Sequence, residues 1–134
     1  MLLLDTNVLL WLSSGNEQLG PVTRRLIDQH INEGTAHFSS ISMWEVATLV
    51  RKQRYFLYTT VVNWRNVLIG LGLKEVPLDG SIALLAGSLT TIHGDPADRI
   101  IAATAMQLRA ILMTTDLKLL SWTESSFEST DARK

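Results

Sequence analysis

Four short stretches decide what this chain can fold into. Leu2 to Leu4, Ala36 to Ser39, Lys74 to Leu78 and Ala110 to Thr114 have strand length, and the first is apolar throughout, as in a strand buried on both faces. Helical stretches separate them. Asn7 to Leu12 reads as a helix closed at Gly15, and Gly20-Pro21 opens a second through about Asn32, with Gly34 as its stop. Ser40 or Ser42 can cap the helix carrying ISMWEVATLVRKQR, and Thr60 to Leu71 forms another, ended by Gly70 and Gly72. Ser81 to Ile92 is helical, and Asp95-Pro96 starts a helix running to about Ala110. Strands alternating with helices predict an α/β sandwich around a mainly parallel sheet. No repeat or linker divides the chain, and ESSFESTDARK reads as a loose polar tail.

Composition narrows the function. A length of 134 residues suits one domain, and 46% hydrophobic with 19% charged residues suits a compact one. A net charge of -1 gives no overall footprint of a dedicated nucleic-acid binder, so any such contact must be local. Without cysteine there are no disulfides or thiolate metal sites, which fits a reducing compartment. The histidines His30, His37 and His93 are scattered and share no ligand spacing, which argues against zinc. MLLLD has no basic n-region, and no apolar stretch has the length of a membrane span, so a soluble, cytoplasmic protein is expected.

The acids carry the chemistry. Asp5 ends the first strand run and Asp116 follows the last, so both fall at the edge where parallel sheets bind ligands. Either alone is a natural helix N-cap. In DPADRIIAATAMQLRA, Asp95 reads as the cap, while Asp98 fits the first turn and also shares a face with Ile101, Ala102 and Ala105. Glu45 lies inside a helix, where capping cannot explain it; a bridge to Lys52 or a place in a cleft can. Were Asp5, Glu45, Asp98 and Asp116 to meet, they would repel without a cation. Oxygen-only donors suit Mg²⁺ or Mn²⁺, and such a site can activate water for attack on a phosphodiester.

With these residues in hand, the chain resembles a PIN-domain ribonuclease, and more closely a VapC-type toxin of a toxin-antitoxin pair. The resemblance runs from MLLLDTNVLLWL through SSISMWEVA and HGDPADRIIAATA to LMTTD. It implies a PIN-like domain over residues 1–122, with 123–134 as the loose tail. It also implies that Asp5, Glu45, Asp98 and Asp116 are the family's four acids, with Thr6, Asn7 and Thr114 as supporting polar groups. The activity implied is metal-dependent endoribonuclease, with Mg²⁺ or Mn²⁺, in a protein that is often dimeric and is silenced by a cognate antitoxin.

Two segments depart from the family pattern. LKLLSWTESSFESTDARK lacks a clear final strand and aromatic, and RKQRYFLYTT replaces the usual glycine-containing turn after the Glu45 helix. A phosphatase of the haloacid-dehalogenase type would need a second acid where Asn7 stands. A receiver domain would need an acidic pair near the first strand. A PIN-like scaffold that binds without cutting is disfavoured by the complete set of acids. Arg24, Arg25, Arg51, Lys52, Arg54 and Arg99 are candidates for phosphate contact, though such residues are commonly a solvated face. Trp11, Met43, Trp44 and Val50, beside Arg51, Lys52 and Arg54, suggest an apolar groove flanked by cations for an antitoxin segment, with Trp44 itself expected in the core.

Overall fold

A computed structural model describes residues 1–90, 92, 95–122 and 127–134. Thr91, the His93-Gly94 pair of the HGDPADRIIAATA stretch, and 123–126 of the expected tail lie outside the described residues. The elements run β1 (Leu2–Leu4), α1 (Thr6–Ser14), α2 (Pro21–Glu33), β2 (Ala36–Ser39), α3 (Ile41–Arg51) and α4 (Val61–Gly70). They continue with β3 (Lys74–Val76), α5 (Gly80–Ser88), α6 (Pro96–Leu108), β4 (Ile111–Thr114), α7 (Leu117–Leu120) and β5 (Ser129–Asp131). The strands form one sheet in the order β3-β2-β1-β4-β5 with every pairing parallel.

Side-chain alternation along β1 divides the core into two layers. Leu2 and Leu4 join Val8, Ile27, Phe38, Val46 and Leu68 on one face, covered by α1 to α4. Leu3 joins Ile101, Ala102, Leu112 and Leu119 on the other, beneath α6 and α7. α5 lies outside α6, joined to it through Ile82, Ala86 and Ala103. All three β1 leucines are fully buried, as the continuous apolar run requires.

Chain punctuation follows backbone chemistry. Gly15 and Gly34 end α1 and α2 in the left-handed region, at φ of 67° and 72°. α3 stops three residues short of the expected end, and Gln53 takes the left-handed region at φ 56°. β3 ends at Val76 because Pro77 has no N–H to give, and the next amide, that of Leu78, donates to Ser40 Oγ at 3.0 Å. α5 ends at Ser88 instead of Ile92; Arg99 reaches back to the carbonyls of Leu89 and Ile92, the latter at 3.1 Å.

The loose tail needs correction. Ser129–Asp131 is a strand that extends the sheet beside β4, Ala132 is fully buried, and Gly20 N–H donates to the Ala132 carbonyl at 3.0 Å. A three-residue polar edge strand has neither apolar alternation nor length to announce it; its backbone pairing with Leu112 to Thr114 holds it in place. Trp44, expected in the core, is 58% exposed, whereas Trp11, Met43 and Val50 are half-buried against the first layer.

Candidate active site

Parallel sheets bind ligands beyond the carboxyl ends of their strands, where the connectivity reverses. Here the chain runs outward from β1 to β2 and β3, then returns to β4 and β5 on the other side. The reversal therefore lies between β1 and β4. Asp5 directly follows β1, Thr114 closes β4, and Asp116 stands two residues beyond. Leu4 is in register with Met113, and the Asp5 amide donates to the Met113 carbonyl at 2.9 Å, which brings Asp5 beside Thr114.

Asp5 is only 6% exposed, and both of its carboxylate oxygens are held. The Thr6 amide donates to Oδ1 at 2.7 Å and the Thr114 hydroxyl to Oδ2 at 2.7 Å. Because Thr114 Oγ1 also accepts the Asp116 amide at 3.0 Å, its own hydrogen is committed to Asp5. One buried threonine thus ties two of the acids to a fixed geometry. Asp5 and Asp116 do cap α1 and α7, so the capping and cleft readings hold together.

Glu45 faces the same cleft from α3 and accepts a hydrogen bond from the Thr6 hydroxyl. That hydroxyl is also 2.9 Å from Ser42 Oγ, so three side chains link α1 to α3. Among the described residues the ion pairs are Arg65 with Glu75 and Arg133 with Asp131; the bridge from Glu45 to Lys52 is not formed. Asp98 is in the first turn of α6, next to the cap that Asp95 makes by accepting the Ala97 amide at 3.0 Å.

These groups line a cleft of about 340 Å³. All four expected acids are in it, together with Thr6 and Asn7, and Asn7 Nδ2 is 3.5 Å from Thr115 Oγ1. Thr114 lies beneath, fully buried. Sequence reasoning missed three participants. Asp95, taken only as a cap, is a fifth carboxylate in the wall, and Thr115 and Leu49 also line it. The three-residue step between Asp95 and Asp98 along one helix start was the available signal. His30 and His37 are elsewhere, bonded to Thr35, so among the described residues no nitrogen ligand serves the cleft.

The electrostatics are those of crowded acids. Burial raises the Asp5 carboxyl above its ordinary range, against the lowering effect of the Thr114 and Thr6 hydrogen bonds. Burial pushes Glu45 up to about 7; the Thr6 bond opposes this, and Asp5 and Asp95 add to it. Asp98 also reaches about 7, first through burial and then through repulsion from Asp5, Asp95, Asp116 and Glu45. Among the described residues no three of these carboxylates stand close enough to share one ion as the side chains are placed. Mg²⁺ does not demand that, since it keeps several waters and takes one or two carboxylates. Hard oxygen donors, excess negative charge and the lack of nitrogen or sulfur ligands among the described residues all fit a hard divalent cation.

Comparison with known proteins identifies the fold and the family. The PIN domain family model matches residues 2–121. Ribonuclease VapC22 of Mycobacterium tuberculosis is 33% identical over 120 residues, covering 89% of each chain. The toxin-antitoxin complex VapBC2 of Rickettsia felis, solved with a promoter DNA fragment, contains a chain that superposes with a TM-score of 0.71 at 17% identity, covering 97% of both chains. A chain of the DNA-bound VapBC complex of Salmonella typhimurium superposes with a TM-score of 0.65 at 19% identity, covering 98% of this chain and 97% of that one. The chain belongs to the PIN-domain family, and within it to the VapC type.

Proposed function

We propose that the chain is a metal-dependent endoribonuclease that cleaves RNA phosphodiester bonds at the acid cleft and acts as the toxin of a VapBC-type toxin-antitoxin pair. The observation that carries this reading is the convergence of Asp5, Glu45, Asp98 and Asp116 in one cleft at the point where the sheet's connectivity reverses. The 33% identity to a named ribonuclease supports the substrate class.

Asp5, Asp98 and Asp116, with Glu45, are the residues to hold Mg²⁺ or Mn²⁺. Bound there, such an ion supplies charge neutralisation and an activated water for in-line attack on phosphorus. The chain's own groups do the remainder. Thr114 and the Thr6 amide fix both oxygens of Asp5, so the orientation of that one carboxylate is set before the charge arrives. Glu45, held by the Thr6 hydroxyl, faces the other acids from α3. Asn7, exposed at the rim, is placed to donate to a phosphate oxygen.

The partners follow from the same reading: an RNA substrate, a cognate antitoxin that covers the cleft, and a second copy of the chain in a homodimer, working in the cytoplasm. None of the described helices is long and apolar enough to cross a membrane. Purified chain should lose RNA cleavage in EDTA and regain it with Mg²⁺ or Mn²⁺ and without zinc. Overexpression should arrest growth, co-expression with the adjacent reading frame should relieve it, and Asp5→Asn should be harmless. Cleavage that survives exhaustive chelation would refute the mechanism. Harmless wild type, with no co-encoded protein that binds, would refute the toxin role.

A further inference from the structure

Asp116 stands two residues beyond β4 and opens a helix of only four residues, so regular structure does little to hold it. The sheet ladder is used up at Thr114, which is in register with Asp131 and whose carbonyl accepts the Ala132 amide at 3.0 Å. The next carbonyl, that of Thr115, receives no backbone amide among the described residues. Arg133 takes it instead, its Nη2 donating to the Thr115 carbonyl at 3.0 Å. That carbonyl and the Asp116 amide belong to one peptide group, and the amide donates to Thr114 Oγ1 at 3.0 Å. A peptide group is a rigid plane. Held at its oxygen by Arg133 and at its N–H by Thr114, it cannot turn, and the Asp116 Cα lies in the same plane.

The guanidinium is itself held. Nη1 is 3.2 Å from Asp131 Oδ1, the same oxygen that accepts the Arg133 amide at 2.9 Å. The backbone on either side of Arg133 is fixed by the first turn of α2. Gly20 N–H donates to the Ala132 carbonyl and Val22 N–H to that of Lys134, each at 3.0 Å. A Cβ on Gly20 would overlap the Arg133 and Lys134 backbone, so the approach needs glycine. An exposed ion pair such as Arg133 with Asp131 adds little stability of its own. Its effect is to aim a fork, since a guanidinium presents its donors in a fixed plane and can serve two acceptors at once. Among the described residues the other arginine side chains donate to Asn16, Glu75, Leu89 and Ile92, none of which lines the acid cleft, whereas Thr115 does.

We propose that Arg133 is a positioning residue of the acid cleft: oriented by Asp131, it holds the Thr115 carbonyl and so fixes where Asp116 presents its carboxylate to the divalent cation. The inference rests on the reading of Asp116 as a metal ligand, and it gives residues 129–134 a task beyond closing the sheet. Without the guanidinium the peptide plane is held at one end only, and part of the metal's binding energy is spent on restoring it. Contacts that orient a ligand in this way typically contribute roughly 10- to 100-fold in metal affinity.

The test compares wild type with Arg133→Met, which keeps the length and removes the donors, and with Arg133→Lys, which keeps the charge and loses the fork. Mn²⁺ binding to the metal-free chain, read by electron paramagnetic resonance, should weaken about tenfold in both. Hydrogen exchange without metal should show the Asp116 amide about tenfold less protected and the Ala132 amide unchanged. RNA cleavage should need about tenfold more Mn²⁺ for half its maximal rate, a larger change than the fall in that rate. Asp131→Asn should shift Mn²⁺ binding in the same direction and add little to Arg133→Met. Unchanged Mn²⁺ affinity and Asp116 protection in Arg133→Met overturn the inference, as does wild-type behaviour of Arg133→Lys, which would leave charge alone at work. Equal loss of protection at Ala132 would make Arg133 a strap for β5 and also overturns it. Wild type that binds no Mn²⁺ refutes the metal reading of the cleft and the inference with it, whereas a wild type that binds beside an indifferent Arg133→Met refutes the positioning role alone.

Discussion

Two carboxyls that titrate near neutrality make the stability of the metal-free chain depend on pH in an unusual direction. Glu45 and Asp98 titrate at about 7 in the folded chain, against ordinary values of 4.5 and 3.8. Between those limits the folded chain holds protons that the unfolded chain has released. Unfolding then becomes easier as pH rises, and the stability present at low pH is lost on the way to 7. Each tenfold change in proton affinity is worth about 1.4 kcal/mol, but both groups are partly open to water. Screening there leaves about 1 kcal/mol for each carboxyl and about 2 kcal/mol for the pair. With an unfolding entropy of about 2.1 cal/mol/K per residue, that lowers the melting temperature by roughly 7 °C from pH 5 to pH 7.5.

Asp5 acts in the same sense, its carboxyl also being raised by burial. His37 acts in the opposite one, because burial lowers its pKa and the neutral ring favours the fold as pH rises through its ordinary 6.5. Variants separate these contributions. Melts by circular dichroism in EDTA should show about half the decline in Glu45→Gln and in Asp98→Asn, and little in the double variant, which should be the most stable form at pH 7.5. Added Mg²⁺ should restore wild type and leave the double variant unmoved. A wild type that melts higher at pH 7.5 than at pH 5, or variants that keep its full slope, would show that burial and crowding in this cleft do not raise the Glu45 and Asp98 carboxyls.

Two other perturbations probe the framework around the acids. Thr114→Val keeps the shape but removes the donor to Asp5 and the acceptor for the Asp116 amide, and should cost about 3 kcal/mol, roughly 10 °C; a double-mutant cycle with Asp5→Asn should show a coupling of at least 1 kcal/mol, and additive effects would mean the bond carries nothing. Truncation after Glu128 should destabilise the chain strongly and unprotect the Thr114 amide in hydrogen exchange, because β5 and Ala132 close the sheet there; an unaffected melt would reinstate the loose tail.

Legibility in the sequence followed the local strength of each signal. β1 was plain because three leucines in a row can satisfy only a strand covered on both faces, and α1 and α2 were bounded by Gly15 and Gly34, both of which adopt positive φ. β5 was hidden because Ser129, Thr130 and Asp131 are polar and held by backbone pairing to β4, which leaves no trace in side-chain pattern. Trp44 was misplaced because hydrophobicity and helical spacing do not reveal which face of α3 lacks a neighbour. Three of the acids were recognisable from position, since strand ends and helix starts are where a parallel sheet collects charge. What could not be read was their coupling. Thr6 sits within reach of Ser42, 36 residues away, and Glu45, 39 away; Thr114 reaches Asp5 across 109. Asp95 escaped because one role as a cap sufficed to explain it.

Asp98 bears the decisive measurement, since it is the acid best explained as a mere first-turn helix residue if there is no catalytic cleft. Single-turnover cleavage of RNA should be followed for wild type and Asp98→Asn, each stripped with EDTA and then supplied with Mg²⁺ or Mn²⁺. A cleft in which these carboxylates hold the cation predicts that wild type recovers full activity and that Asp98→Asn, although folded and at least as stable without metal, remains at least 100-fold slower, a loss of about 2.7 kcal/mol in transition-state stabilisation. Asp98→Asn cutting RNA as fast as wild type would contradict it.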